Sequence, residues 1–230
     1  MKKEKITQFN RGAFIIKKDL VTEEKELRLF VNNTFESIIV CSDEALTELI
    51  HGYLYTERFI NRASDITDIK LAQEGSFYVV SVVTKKSRDF HNNTGKIEMH
   101  PKKLFGLMDE LLSRSEIFKL TGGTHISGIS NGEKLINAFE DISRRSSIQK
   151  AIGKIIMQED FRNAKILFTS GRINRKTVEY AKRLGIKIIA SRSAVTDRAI
   201  NLSKDNNITL IGFLRGNRFN IYTHPERIKI

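Results

Sequence analysis

The chain has 230 residues, 40% apolar and 29% charged, with 39 Lys and Arg against 27 Asp and Glu for a net charge of +12. That is one large domain or a domain with an appendage, long enough to bury a core and too apolar for disorder. A single cysteine excludes an intramolecular disulfide, no C-x-x-C pair exists for structural zinc, and the basic balance favours an anionic partner: nucleic acid, a phosphorylated cofactor or an acidic protein face.

Residues 1–12 are basic and read as a loose arm. AFIIKK (13–18) and ELRLFV (26–31) read as strands, and Asn32-Asn33 turns the second into TFESIIV (34–40). In SDEALTELIHGYLYTE (42–57), Leu46, Leu49, Ile50, Tyr53 and Leu54 share one helical face, with Ser42 as the expected cap. DITDIKLA (65–72) and GSFYVVSVVT (75–84) predict a hairpin. The polar stretch RDFHNNTGKIEM (88–99) follows, then the amphipathic helix PKKLFGLMDELL (101–112) with Pro101 in its first turn. FKLTGGTHISGISNGEKLINAFED (118–141) reads as extended around an Asn131-Gly132 turn, and SSIQKAIGKIIMQ (146–158) as a helix.

From residue 164 strands and helices alternate: AKILFTS, NRKTVEYAKRLG, IKIIAS, AVTDRAINLSKD, ITLIGFL, then RFNIYT. This order predicts a parallel sheet with helical crossovers, whose strand-end loops are the default ligand sites. Those loops carry Arg172, Arg192, Arg215 and Arg218, which suits a phosphate-bearing ligand. No long apolar run predicts a membrane span and MKKEKITQFNRGAF lacks a signal-peptide core, so a soluble cytoplasmic protein is expected.

Three further candidates have two readings each. In Thr121-Gly122-Gly123-Thr124-His125 the glycines permit close ligand approach and His125 is a base or donor; spacing alone favours a glycine bulge beside a packed histidine. SGRINRKT (170–177) is an anion-binding helix start near Arg172, or a helix capped by Asn174. Cys41 is a reactive thiol at a helix start, or a small buried hydrophobe, which the apolar run before it favours. The H-x-E and P-C-x-x-C elements of zinc-dependent nucleobase deaminases are absent.

Taken in order, these segments resemble one family, the formate dehydrogenase accessory sulfurtransferases (FdhD), over roughly residues 20–230. SDEALTELIHGYLYTERFI is similar to the family's T-P-x-D-L-E-D-x-A-x-G-F-x-x-S-E-G-I-I, and FKLTGGTHISGI to its F-x-x-T-G-G-x-H-A-A-A-L. EDISRRSSIQKAIG resembles E-D-V-G-R-H-N-A-x-D-K-x-I-G; LFTSGRINRKTVEYAKRLGIKIIASRSAVTDRAI and GFLRGNRFNIYTHPERI resemble its closing segments. The resemblance implies an α/β fold, a cytidine-deaminase-like three-layer sandwich with a mixed sheet and no zinc, plus a smaller β-rich N-terminal part. The expected division is the basic arm at 1–12, the β-rich part at 13–98 and the core at 99–230, and the resemblance implies a homodimer.

It also implies sulfurtransferase activity: persulfide sulfur taken from a cysteine desulfurase and delivered to the molybdenum (or tungsten) bis-guanine-dinucleotide cofactor of formate dehydrogenase or a related molybdo-enzyme. The implied cofactor segment is Phe213, Leu214, Arg215, Gly216, Asn217 and Arg218. The family's C-G-x-C-G loop falls on RDFHNNTGKIEM, where His91, Asn92 and Asn93 stand and no thiol is present. A persulfide needs a thiol. The family's Gly-Arg-His-Asn is here Ser143-Arg144-Arg145-Ser146. Three functions are therefore expected in descending order: a cofactor- or guanine-nucleotide-binding accessory protein without persulfide chemistry; an active sulfurtransferase using Cys41 or a partner's thiol; and a basic nucleic-acid-binding module.

Overall fold

The computed structural model describes residues 1–85, 87 and 95–230, so the expectation for His91, Asn92 and Asn93 falls outside the described residues. β1 (Lys2–Asn10) pairs antiparallel with β2 (Ala13–Val21) in a two-stranded ribbon, which corrects the loose arm expected at 1–12. Arg11 and Gly12 both take positive φ (48° and 86°), the two-residue turn whose twist matches paired strands. The lysines of β1 hide the alternation that builds it.

β3 (Lys25–Val31), β4 (Thr34–Cys41), β5 (Ile66–Glu74) and β6 (Phe77–Thr84) form a sheet in the order β4-β3-β6-β5. One face buries Leu27, Leu29, Val80 and Val82. The opposite face carries Val40, Glu26, Phe77 and Glu74 in one cross-strand row and Ile38, Arg28 and Val79 in the next. α1 (Leu46–Thr56) starts later than the expected Ser42 cap. Ser42 is buried and donates its N–H and hydroxyl to Asp141 Oδ2 at 3.2 and 3.3 Å, so it is spent on a distant carboxylate.

The second sheet runs β12-β11-β10-β9-β7-β8, from β7 (His125–Ser130), β8 (Leu135–Asp141), β9 (Ile166–Thr169), β10 (Ile188–Ser191), β11 (Thr209–Arg215) and β12 (Arg218–Thr223). β9, β10 and β11 are parallel, as the alternating pattern predicts, and β7, β8 and β12 run antiparallel to their neighbours. α2 (Pro101–Ser113) covers one face, setting Leu104, Met108 and Leu111 in a core with Ile126, Phe168 and Ala190. α4 (Arg144–Gln158), α5 (Arg175–Leu184) and α6 (Asp197–Asp205) belong to the core on the other face. This is the mixed α/β sandwich with a β-rich N-terminal part that the resemblance implies.

The core on the α4 side is continuous across residue 98: one cluster links Leu27 and Leu29 of β3, Leu49 and Leu54 of α1, and Ile152 and Ile155 of α4. α1 and α4 cross with their backbones touching. A Cβ on Gly52 would overlap the Gln149 carbonyl, and one on Gly153 the Glu48 carbonyl. Among the described residues no helix is long and apolar enough to cross a membrane.

Candidate functional site

The loops after β9, β10 and β11 are stitched to one another. Thr169 Oγ1 accepts from Gly171 N (3.1 Å), Ser191 Oγ donates to Gly171 O (2.7 Å), and Ser193 N donates to Ser191 Oγ (2.8 Å). Ile173 N and Ala194 O bond at 3.0 Å, and Phe213 N donates to Ser193 O at 3.0 Å. Phe213 bulges β11 with φ 54°. Three strand ends are thus fixed as one rim, where side-chain hydroxyls satisfy backbone groups that the ladder leaves free.

The Thr121–His125 segment sits on that rim in a form the sequence reading missed. Residues 118–121 are the end of a short helix, α3 (Glu116–Thr121), and not an extended segment. Gly122 is its left-handed cap at φ 68°, so the first glycine ends a helix instead of bulging a strand. The Glu140 carboxylate holds the other end, accepting from Ile117 N at 2.8 Å and Phe118 N at 2.9 Å, and from Thr124 Oγ1 at 2.7 Å. A six-residue helix is too short to show a period.

His125 opens β7 beside β9, with Nδ1 3.4 Å from Ser170 Oγ. Gly122, Gly123, Thr124, His125, Ser170 and Arg192 line a cleft of about 560 Å³, with apolar side chains including Phe118 and Ile126 also in its wall. Gly171 is closely packed, since a Cβ there would lie 3.0 Å from Arg144 Cβ, a tight contact, and 3.6 Å from His125 Nδ1. That packing brings Arg144 to the site. Burial pushes the His125 imidazole below its ordinary range, and Arg144 and Arg172 push it further the same way. Arg144 is lowered in turn by burial and by Arg172 and Arg145.

Arg144 and Arg145 occupy the first turn of α4 with no acidic residue there, against the helix dipole. Among the described residues, Arg144, Arg145, Arg172, Arg192, Arg215 and Arg218 make no ion pair with a carboxylate. Arg172 and Arg145 repel Arg144, and cations at one end of a sheet that lack counter-charges suit an anion with several negative groups. Sequence reading found Arg172, Arg192, Arg215 and Arg218 but placed Arg144 in no site. Its signal was the pair of arginines opening a helix that carries no acid.

The remaining expected residues spread out. Thr121 Oγ1 accepts from Thr22 Oγ1 at 2.8 Å and so ties the rim to the end of β2. Arg215 and Arg218 face each other across the exposed β11–β12 turn, where Gly216 has φ 58°, and the Arg215 guanidinium lies 5.6 Å from the Phe213 ring. Gly216 and Asn217 are exposed, whereas Leu214 is wholly buried in the core beneath α2 and offers no open side chain. Cys41 ends β4 in the core. Burial, with the nearby Asp141 carboxylate, pushes its thiol up to about 12, against an opposing pull from Lys150.

A sequence model of the FdhD/NarQ family matches residues 22–97 and 83–229. The chain belongs to this family. It is 33% identical over 253 residues to the sulfur carrier protein FdhD of Staphylococcus haemolyticus, covering 98% of this chain and 96% of that one. It is also 33% identical over 252 residues to the sulfur carrier protein FdhD of Sulfolobus acidocaldarius, covering 100% and 99%. The fold is that of a formate dehydrogenase accessory protein from Desulfotalea psychrophila, with a TM-score of 0.86, 23% identity, and 99% and 98% of the two chains covered.

The relatives at 33% identity both carry the name sulfur carrier protein FdhD. The alignments run over more positions than its 230 residues, so parts of the relatives have no counterpart in it. The two segments of the family match meet at 83–97, around the stretch RDFHNNTGKIEM. The one thiol of the sequence is the buried Cys41.

Proposed function

We propose that this protein binds the molybdenum (or tungsten) bis-guanine-dinucleotide cofactor, or a guanine nucleotide portion of it, at the strand-end rim. In this reading it serves formate dehydrogenase or a related molybdo-enzyme by holding or delivering that cargo, and works as a homodimer. The carrying observation is a glycine-walled cleft lined by Arg192, with Arg144 and Arg172 near its His125, at the strand ends that also carry Arg215 and Arg218, none of them ion-paired among the described residues. A pyrophosphate-linked ligand supplies the negative charge that Arg144, Arg172, Arg192, Arg215 and Arg218 lack. Neutral His125 can donate to or accept from such a ligand without adding to the cationic repulsion.

Sulfur transfer on a thiol of this chain is disfavoured. Thiolate is the nucleophile, and Cys41 is kept as a buried thiol. A cysteine desulfurase enters this reading only by bringing the sulfur on its own thiol. Titration with GDP tests the binding. Arg144→Ala and Arg215→Ala should each weaken it by about tenfold or more, the scale of one lost charge-assisted hydrogen bond. Wild type and both variants alike showing no binding would remove the reading.

A further inference from the structure

The glycine wall of the cleft has two supports, and one of them comes from outside the sandwich. Glu140 of β8 holds the start of α3 and the Thr124 hydroxyl. The second support is a hydroxyl hub at Thr121. Thr121 Oγ1 donates to Ile117 O at 2.8 Å and so closes the last turn of α3. It accepts from Gly123 N at 3.1 Å and from Thr22 Oγ1 at 2.8 Å. A hydroxyl has one hydrogen to give and two lone pairs to fill, so this one is fully used.

Thr22 directly follows β2, and the β1–β2 ribbon pairs with neither of the larger sheets. Thr22 also presses on the wall itself. The two glycines of the wall differ in what requires them. Gly122 takes φ 68°, and a Cβ there would meet nothing within 4 Å. Gly123 lies outside the left-handed region, but a Cβ on it would sit 2.6 Å from Thr22 Oγ1 and 3.3 Å from Thr22 Cβ. Gly122 is thus needed for backbone conformation, and Gly123 for the approach of Thr22. A β-branched side chain is stiff at χ1, so Thr22 can turn away only by breaking its bond to Thr121.

We propose that Thr22 is a positioning residue for the cleft. Through Thr121 and by direct contact it fixes Gly122 and Gly123, which line the cleft, from the base of the N-terminal ribbon. A wall set before the ligand arrives spares the ordering cost at binding. The ligand in this role is that of the nucleotide reading above, on which it rests; order in the wall is measured without any ligand.

The test uses the full chain and four variants: Thr22→Val, which keeps the shape and removes the hydroxyl; Thr22→Ser, which keeps the hydroxyl; Gly123→Ala; and Gly123→Ala with Thr22→Ala. Hydrogen exchange of the Gly122 and Gly123 amides is followed by NMR without ligand, and GDP is then titrated. Thr22→Val should speed exchange and weaken GDP binding, each by about fivefold, the scale of one neutral hydrogen bond, with the urea midpoint held at the wild-type value. Thr22→Ser should restore both. Gly123→Ala should bind GDP more weakly than Thr22→Val, and adding Thr22→Ala should recover the excess loss, because the overlap is with Thr22. Wild-type exchange in Thr22→Val overturns the proposal, as does a urea midpoint that falls in step with affinity or a Thr22→Ser that restores nothing. Gly123→Ala equally weak with and without Thr22→Ala means that the ligand itself meets Gly123, and overturns it too. Wild type that binds no GDP removes the nucleotide reading alone, and the exchange rates then decide the role of Thr22 by themselves.

Discussion

Burial, Arg144 and Arg172 all hold the His125 imidazole toward its neutral form. A histidine with a folded pKa below its unfolded value binds fewer protons when folded. Stability therefore falls as pH drops from about 6.5 toward the folded value, and is flat above that window. Urea midpoints between pH 7.5 and 5.5 should show this fall in wild type, and His125→Asn should lose that component. Parallel curves would mean that the ring is solvated. Cys41 gives a second residue-level prediction: iodoacetamide should label it at pH 8 in denaturant and leave it unlabelled in the native protein. The third concerns Lys150, whose Nζ lies 2.7 Å from Asp141 Oδ2 with both side chains at 0% exposure. Lys150→Met leaves that carboxylate buried and unpaired, at a cost of about 3–5 kcal/mol in chemical denaturation. Adding Asp141→Asn should recover much of the loss.

At the scale of elements, the α1–α4 crossing depends on two absent side chains. Gly153→Ala drives a methyl into a backbone carbonyl that has no rotamer by which to move away. We expect a loss of about 3 kcal/mol, the upper end of overpacking costs, read as a lower urea midpoint at unchanged slope. Neither glycine advertises this in sequence, since each sits inside an ordinary helical period. The strands from β9 to β11 were legible because their apolar runs are short and separated by helices of clear period, and β12 because the Gly216-Asn217 turn sets it off from β11. The convergence of Arg172, Arg192 and Arg215 followed from parallel topology alone, because parallel strands put their following loops at one end. The meeting of Arg144 with His125 was not legible, since it depends on how closely Gly171 lets α4 approach. The helix at 116–121 and the strand at 2–10 were missed for local reasons: one is too short for a period, and the other is masked by lysines.

At the scale of the molecule, the charge is unevenly used. Arginines without carboxylate partners gather at the strand ends, so GDP affinity should fall steeply as NaCl rises from about 50 to 500 mM, and binding through apolar contact alone would leave it level. The buried bonds from Ser42 to Asp141 have a different consequence. They join residues 99 apart in sequence, and α1 lies against α4 across a similar span. Such contacts form only after a long loop has closed, so the N-terminal sheet cannot complete its core until the chain beyond residue 150 has been made. On the ribosome, α1 must wait with its apolar face uncovered. Refolding should accordingly be slow, and the N-terminal sheet and the sandwich should melt in a single transition.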